Sequence, residues 1–219
     1  MRTLLVTVLA LTFSAPVLAQ RPGFALGFTT STDVYRYKTW EDAFASGPNY
    51  QFRLRNSVGV QAHYVTTTRI AFTTGLLLSN KGAYYDYTDY GLIIGRAGTR
   101  YTVDERHLYL DVPLKLGYNW RLTDRLALTP TSGAIISTAL STSYVVTKSN
   151  GDRVSRRNAI RTQPLYRLSI PLELHLDWLV SERIVVSAAP YYRFDVRLEP
   201  YHTRLPSYGL LLDLRYYLK

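Results

Sequence analysis

The chain has 219 residues, 47% of them hydrophobic, a formal net charge of +10 and no cysteine. The lack of cysteine excludes disulfide staples, thiolate metal sites and a thiol nucleophile. A positive charge of this size suits anionic lipid or nucleic acid, and the leader described next takes the chain out of the compartment where nucleic acid is met.

Arg2 precedes an apolar stretch from Leu4 to Phe13, and Val17-Leu18-Ala19 places small residues ahead of Gln20. This is the pattern of a secretory signal peptide over 1–19, cleaved after Ala19. A membrane-spanning helix needs about 20 apolar residues, and this run is roughly half as long. No cysteine follows the cleavage site, which excludes a lipoprotein anchor. Residues 20–219 are then one domain, free of any long uninterrupted apolar stretch.

From Phe24 onward the apolar residues fall on even numbers. Phe24, Leu26 and Phe28 open the pattern; Phe52, Leu54, Val58, Val60, Ala62 and Tyr64 continue it, then Ile70, Phe72, Leu76 and Leu78. The clearest runs are Leu108 to Trp120, Tyr166 to Val180, Ile184 to Leu198 and Tyr208 to Leu218, and the charged residues of each fall at odd positions. A period of two marks a strand with one apolar and one polar face. The segment 126–146 is the poorest, with Thr and Ser on both faces. Several runs exceed the roughly 5–6 residues of an ordinary soluble strand and reach the about 9–11 that cross a bilayer.

An internal repeat sets the strand count. Leu110-Asp111-Val112-Pro113-Leu114-Lys115-Leu116 and its following Trp120 match Leu168-Ser169-Ile170-Pro171-Leu172-Glu173-Leu174 and Trp178. Each copy runs into a short polar turn and a new strand, and Tyr64 to Ile70 is a looser third copy. Longer polar linkers are expected over 39–50, 87–106, 147–163 and 199–206. Three hairpins and one further strand at each end predict an all-β fold: an eight-stranded antiparallel up-and-down transmembrane β-barrel with short periplasmic turns and longer extracellular loops. Tyr64, Trp120 and Trp178 then form an aromatic girdle at the short-turn end. Pro113 and Pro171, each lacking a ladder donor, are expected at bulges or bends. A soluble lipocalin-like barrel is the rival architecture.

The odd face points into the lumen. On this register it carries Arg53, Arg55, His63, Lys81, Asp111, Lys115, Glu173, His175, Asp177, Arg193, Asp195, Arg197, Asp213 and Arg215. An eight-stranded barrel has an interior just wide enough for side chains to fill, so these charges read as a salt-bridged plug rather than a conduit. His175 has Glu173 and Asp177 two residues away, with Ser169 and Ser187 within reach, but a charge network produces the same pattern. No catalytic, cofactor-binding or metal residue is assigned. In the third long linker Lys148, Arg153, Arg156, Arg157 and Arg161 face only Asp152, a composition that would grip phosphates or an acidic partner. The second carries Tyr84, Tyr85, Tyr87, Tyr90 and Tyr101, suited to sugar or protein contact or to an outer girdle.

Leu78-Ser-Asn-Lys-Gly82-Ala-Tyr-Tyr, Tyr109-Leu-Asp-Val-Pro-Leu-Lys-Leu-Gly-Tyr118 and Gly209-Leu-Leu-Leu-Asp-Leu-Arg-Tyr-Tyr-Leu218 resemble the outer membrane protein beta-barrel domain family, a Bacteroidetes-type group that includes PorT-like proteins. The resemblance covers the whole mature chain and implies an outer-membrane barrel with no assigned activity. Barrels of this kind often end in an aromatic residue; here Tyr216 or Tyr217 would serve instead of Lys219. The expected function is a non-enzymatic, porin-like integral barrel. It is envelope-structural, or binds outer-membrane lipid and lipopolysaccharide or an envelope protein through its loops. The alternative is an accessory barrel of a protein secretion assembly, and behind it stand a small channel and a rim-sited lipid hydrolase.

Overall fold

A computed structural model describes residues 22–35, 49–51, 53–82, 84–89, 99–157, 166–196 and 206–218. The leader at 1–19 lies outside them. Eight long strands carry the fold: β1 (Gly23–Tyr35), β2 (Leu54–Val65), β3 (Ile70–Lys81), β4 (Thr99–Tyr118), β5 (Leu126–Lys148), β6 (Tyr166–Leu179), β7 (Ile184–Val196) and β8 (Ser207–Tyr217). Each pairs antiparallel with the next, and β8 pairs back onto β1 through a ladder from Ala25↔Tyr217 to Tyr35↔Ser207. The sheet is therefore a closed ring, with no open edge in its wall.

Parity survives the whole circuit because partner residues in these ladders share it: Leu26 faces Tyr216, Phe28 faces Val60, Thr74 faces Leu114. Cross-strand partners lie on the same face of a sheet, so even residues point outward all the way round. No Asp, Glu, Lys or Arg stands at an even position of β1, β2, β3, β6, β7 or β8, of β4 from Leu108, or of β5 up to Leu140. Phe28, Leu116, Leu172 and Leu214 are each about half exposed on that face. The stretch Leu108 to Tyr118, tilted by about 40°, rises some 25 Å, the height of the apolar band of a membrane barrel. An apolar surface that runs round the whole ring suits contact with hydrocarbon.

The short connections follow one recipe. The N–H groups of Thr66, Leu122 and Val180 donate to the carbonyls of Ile70, Leu126 and Ile184, each at 2.9 Å. A hydroxyl closes each turn, as Thr66, Thr123 and Ser181 accept from the first residue of the returning strand. The short Thr/Ser-to-Ile/Leu spacing, four residues in the first turn and three in the other two, is this device. Beside these turns Tyr64, Trp120 and Trp178 stand exposed, with Phe72 and Tyr118 against the first two. Tyr216 faces outward from the same end and Tyr217 inward.

Two expectations are corrected. Pro113 and Pro171 cause no bulge. Each breaks the ladder on one side only: β4 is paired with β3 at Leu114 and again at Asp111, and β6 with β5 at Leu172 and again at Ser169, with the register unchanged across both gaps. Among the described residues the one register shift lies at Leu108/Tyr109, between β4 and β5.

The second and third linkers are not loops throughout. β4 is 20 residues long and β5 is 23, and beyond Leu108 they continue as a ribbon to Tyr101↔Lys148. Tyr84–Asp89 adds to the flank of β4, Asn49–Gln51 adds to Tyr84–Asp89, and Arg153–Arg157 adds to β5. The result is a five-stranded outer sheet standing beyond the rim. Gly82 sits where β3 passes into this sheet, at φ 139°, and a Cβ there would lie 2.2 Å from the Glu105 carbonyl oxygen. That close approach is the physical content of the Lys-Gly motif.

Leu214→Arg places a charge at mid-belt. It is expected to destabilise the barrel by about 2–4 kcal/mol, read as the urea midpoint in lipid vesicles. Leu122→Arg, in a turn, should leave it unchanged.

Candidate functional site

Odd-numbered side chains fill the lumen as linked ion pairs. Nearest the short turns, Arg215 donates to Asp213 at 2.7 Å and to Asp177 at 3.0 Å. Thr129 donates to Asp177 at 2.7 Å and receives a hydrogen bond from Asn119. His63 lies 3.2 Å from Asp213, and Lys115 donates to Glu173 at 2.8 Å. Higher up, Lys81 donates to Asp111 at 2.8 Å and to Ser137 at 2.7 Å, while Arg167 donates to Asp195 at 2.6 Å. Asp33 accepts from Ser31, Ser57 and Tyr191 and faces Arg193 at 3.4 Å. Each of these cations meets a carboxylate, the condition under which charge can be buried.

The sequence-derived set is largely brought together. His63, Lys81, Asp111, Lys115, Glu173, His175, Asp177, Arg193, Asp195, Asp213 and Arg215 all belong to these networks, whereas Arg55 is buried at the rim against Asp104. Arg53 shares that partner but is not buried. Its side chain is 39% exposed at the rim, over the Tyr84 ring and against Asp104. It precedes the first residue of β2, so strand parity does not govern it. Arg197 lies outside the described residues. Asp33, Arg167, Tyr109 and Tyr191 were missed, although each stands at an odd position of a strand and parity alone places it inside.

Ser187, His175 and Glu173 do meet. The Ser187 hydroxyl lies 3.1 Å from His175 Nδ1, and His175 Nε2 lies 2.8 Å from Glu173. Hydrolysis needs a reachable hydroxyl, and Ser187 is fully buried. Arg215 also lies 3.2 Å from the same Nδ1, and Lys115 shares the same Glu173 oxygen. The group is a segment of the plug.

The outer sheet carries the second cluster. Asp104 takes three guanidinium groups: Arg53 at 2.9 Å, Arg55 at 2.8 Å and Arg106 at 2.8 Å. Asp86 accepts from Thr102 at 2.7 Å, from Arg100 at 2.8 Å and from Gln51 at 3.0 Å. The Thr102 and Arg100 hydrogen bonds hold the Asp86 carboxyl below its ordinary pKa. A row Tyr85–Val103–Val146–Val154 crosses four strands on one face, and Tyr87 stacks on Tyr101 at 5.1 Å beside it. Of the third-linker cations, Lys148 ends β5 and Arg153, Arg156 and Arg157 lie in the edge strand. Arg161 and Tyr90 lie outside the described residues.

No protein-family model matches the chain, and no curated protein matches it. Solved structures of similar fold include the outer membrane protein OprG of Pseudomonas aeruginosa, at 12% identity and TM-score 0.49, covering 92% of this chain and 100% of that one. Neisserial surface protein A has 12% identity and TM-score 0.48 over 90% of this chain and 97% of that one. The attachment invasion locus protein Ail of Yersinia pestis has 13% identity and TM-score 0.40 over 90% and 100%.

Lys115→Met leaves Glu173 buried without its cation. It should cost about 3–5 kcal/mol of barrel stability, most of it recovered when Glu173→Gln is added. A second expectation concerns pH. Because the Asp86 carboxyl is lowered in the folded state, its stabilisation is complete above the ordinary carboxylate range and is lost as pH falls through the folded value. Amides of 84–89 and 99–106 should therefore exchange faster in acid before those of the barrel wall, and Asp86→Asn should abolish that pH dependence.

Proposed function

We propose that this chain is a non-enzymatic integral barrel of the outer membrane whose work is done by the five-stranded sheet beyond its rim. The observation that carries the reading is the charge-free outer face of a closed ring, which suits a bilayer on every side. A leader over 1–19 would deliver the chain across the inner membrane, with the short turns left in the periplasm and the sheet outside. The filled lumen argues against conduction and the buried Ser187 against lipid hydrolysis. Recognition is left to the outer end.

There cations exceed carboxylates. Arg53, Arg55 and Arg106 share one Asp104, and neither Lys148 nor Arg153 has a carboxylate at ion-pair distance among the described residues. Such a surface suits the phosphates of lipopolysaccharide or an acidic partner. The Tyr85–Val154 row favours a second reading, docking onto another envelope protein, as the PorT-like resemblance implies for a secretion assembly.

Fractionation of expressing cells is the test. The protein is expected in the outer-membrane fraction, folded below boiling and migrating differently after it. Release with the periplasmic contents would point to the soluble barrel instead.

A further inference from the structure

The outer sheet ends on one side at Arg153–Arg157, and no described strand covers its far side. The hairpin register tells which backbone groups face that open side. Lys148 N–H donates to the Asp152 carbonyl at 2.9 Å. Hydrogen-bonded pairs alternate with non-bonded ones in an antiparallel ladder, so the bonded pairs that follow are Val146↔Val154 and Tyr144↔Arg156. The N–H and C=O groups of Arg153, Ser155 and Arg157 therefore point away from the sheet, where no described strand pairs with them.

Two further features describe what would pair with them. Three of the five residues in this strand are arginine, and Lys148 adjoins it with only Asp152 opposing. The strand thus repels a second copy of itself and attracts an acidic chain, the usual way in which charge guards an edge while leaving it selective. Second, the Tyr85–Val103–Val146–Val154 row stops at Val154, which is 45% exposed. A neighbour on that face would prolong the row; residues beside Arg153 and Ser155 would lie on the opposite face.

We infer that Arg153–Arg157 is a strand-addition site for an extended segment of a partner protein in which acidic and apolar residues alternate. Apolar residues continue the Val154 row, acidic ones meet the Arg153 face, and the outward backbone groups of Arg153, Ser155 and Arg157 supply the ladder. The inference rests on the reading that this end of the barrel faces outward and recognises a partner. It names the class of partner: a strand rather than a lipid headgroup.

The test uses the purified full-length barrel in lipid nanodiscs and a fluorescent peptide alternating Glu and Val. The wild-type protein is expected to bind it, and Arg153→Glu to abolish binding. Ser155→Pro removes one outward donor without touching the β5 ladder, and should weaken binding about tenfold or more. Ser155→Ala should bind as wild type does. A second measurement leaves the protein intact: the peptide N-methylated at alternate residues should lose binding in one frame and keep it in the other. Binding unaffected by Ser155→Pro and by methylation in either frame, yet displaced by vesicles containing lipopolysaccharide, would overturn the inference in favour of a simple anion site. Failure of the wild type to bind would also overturn it. The location of the barrel is tested separately by fractionation, so either reading can fail without the other.

Discussion

Every backbone N–H and C=O between the aromatic girdle and the rim must find its partner inside the protein, because hydrocarbon offers none. The ladder from Ala25↔Tyr217 to Tyr35↔Ser207 meets that demand by returning the last strand to the first. Once the ring is closed, the two faces of every strand have different surroundings, and the alternation of side chains follows. The outer face loses all charge over the belt. The inner face can accept charge only if it is neutralised on the spot.

The lumen shows the result. Lys115 with Glu173, Lys81 with Asp111, Arg167 with Asp195 and Arg215 with Asp177 are pairings between residues far apart in the chain. Two of them, Lys81 with Asp111 and Arg167 with Asp195, join neighbouring strands, and the other two reach past an intervening strand. They fill the interior with buried side chains of the wall itself. The Ser187–His175–Glu173 contact shows how closely a structural network can imitate catalytic geometry. Burial and competing cations separate the two.

Above the rim the constraint relaxes, and the molecule changes character. The register shift at Leu108/Tyr109 brings even residues opposite odd ones, Leu108 facing Ser141. Beyond it the strict division into apolar and polar faces gives way to the mixed pattern of Tyr101 to Arg106. The same bulge lets β4 and β5 leave the wall as a ribbon that carries three shorter strands.

Strand parity, the strand count and the contents of the lumen were legible in the residues themselves, since a period of two in so many strands admits one sidedness. Asp33 and Arg167 were readable by the same rule. Arg53 was not, since it stands outside a strand and parity has no hold there. Nor did the residues reveal the outer sheet: 99–106 and 147–157 mix polar and apolar residues without a sustained period of two, and a pattern of that kind reads as loop. Only the tertiary structure decided that these segments pair, because the pairing depends on β4 and β5 being held side by side by the closed ring beneath them. It decided likewise which cation meets which carboxylate, since that depends on the stagger between strands, which hydropathy does not record.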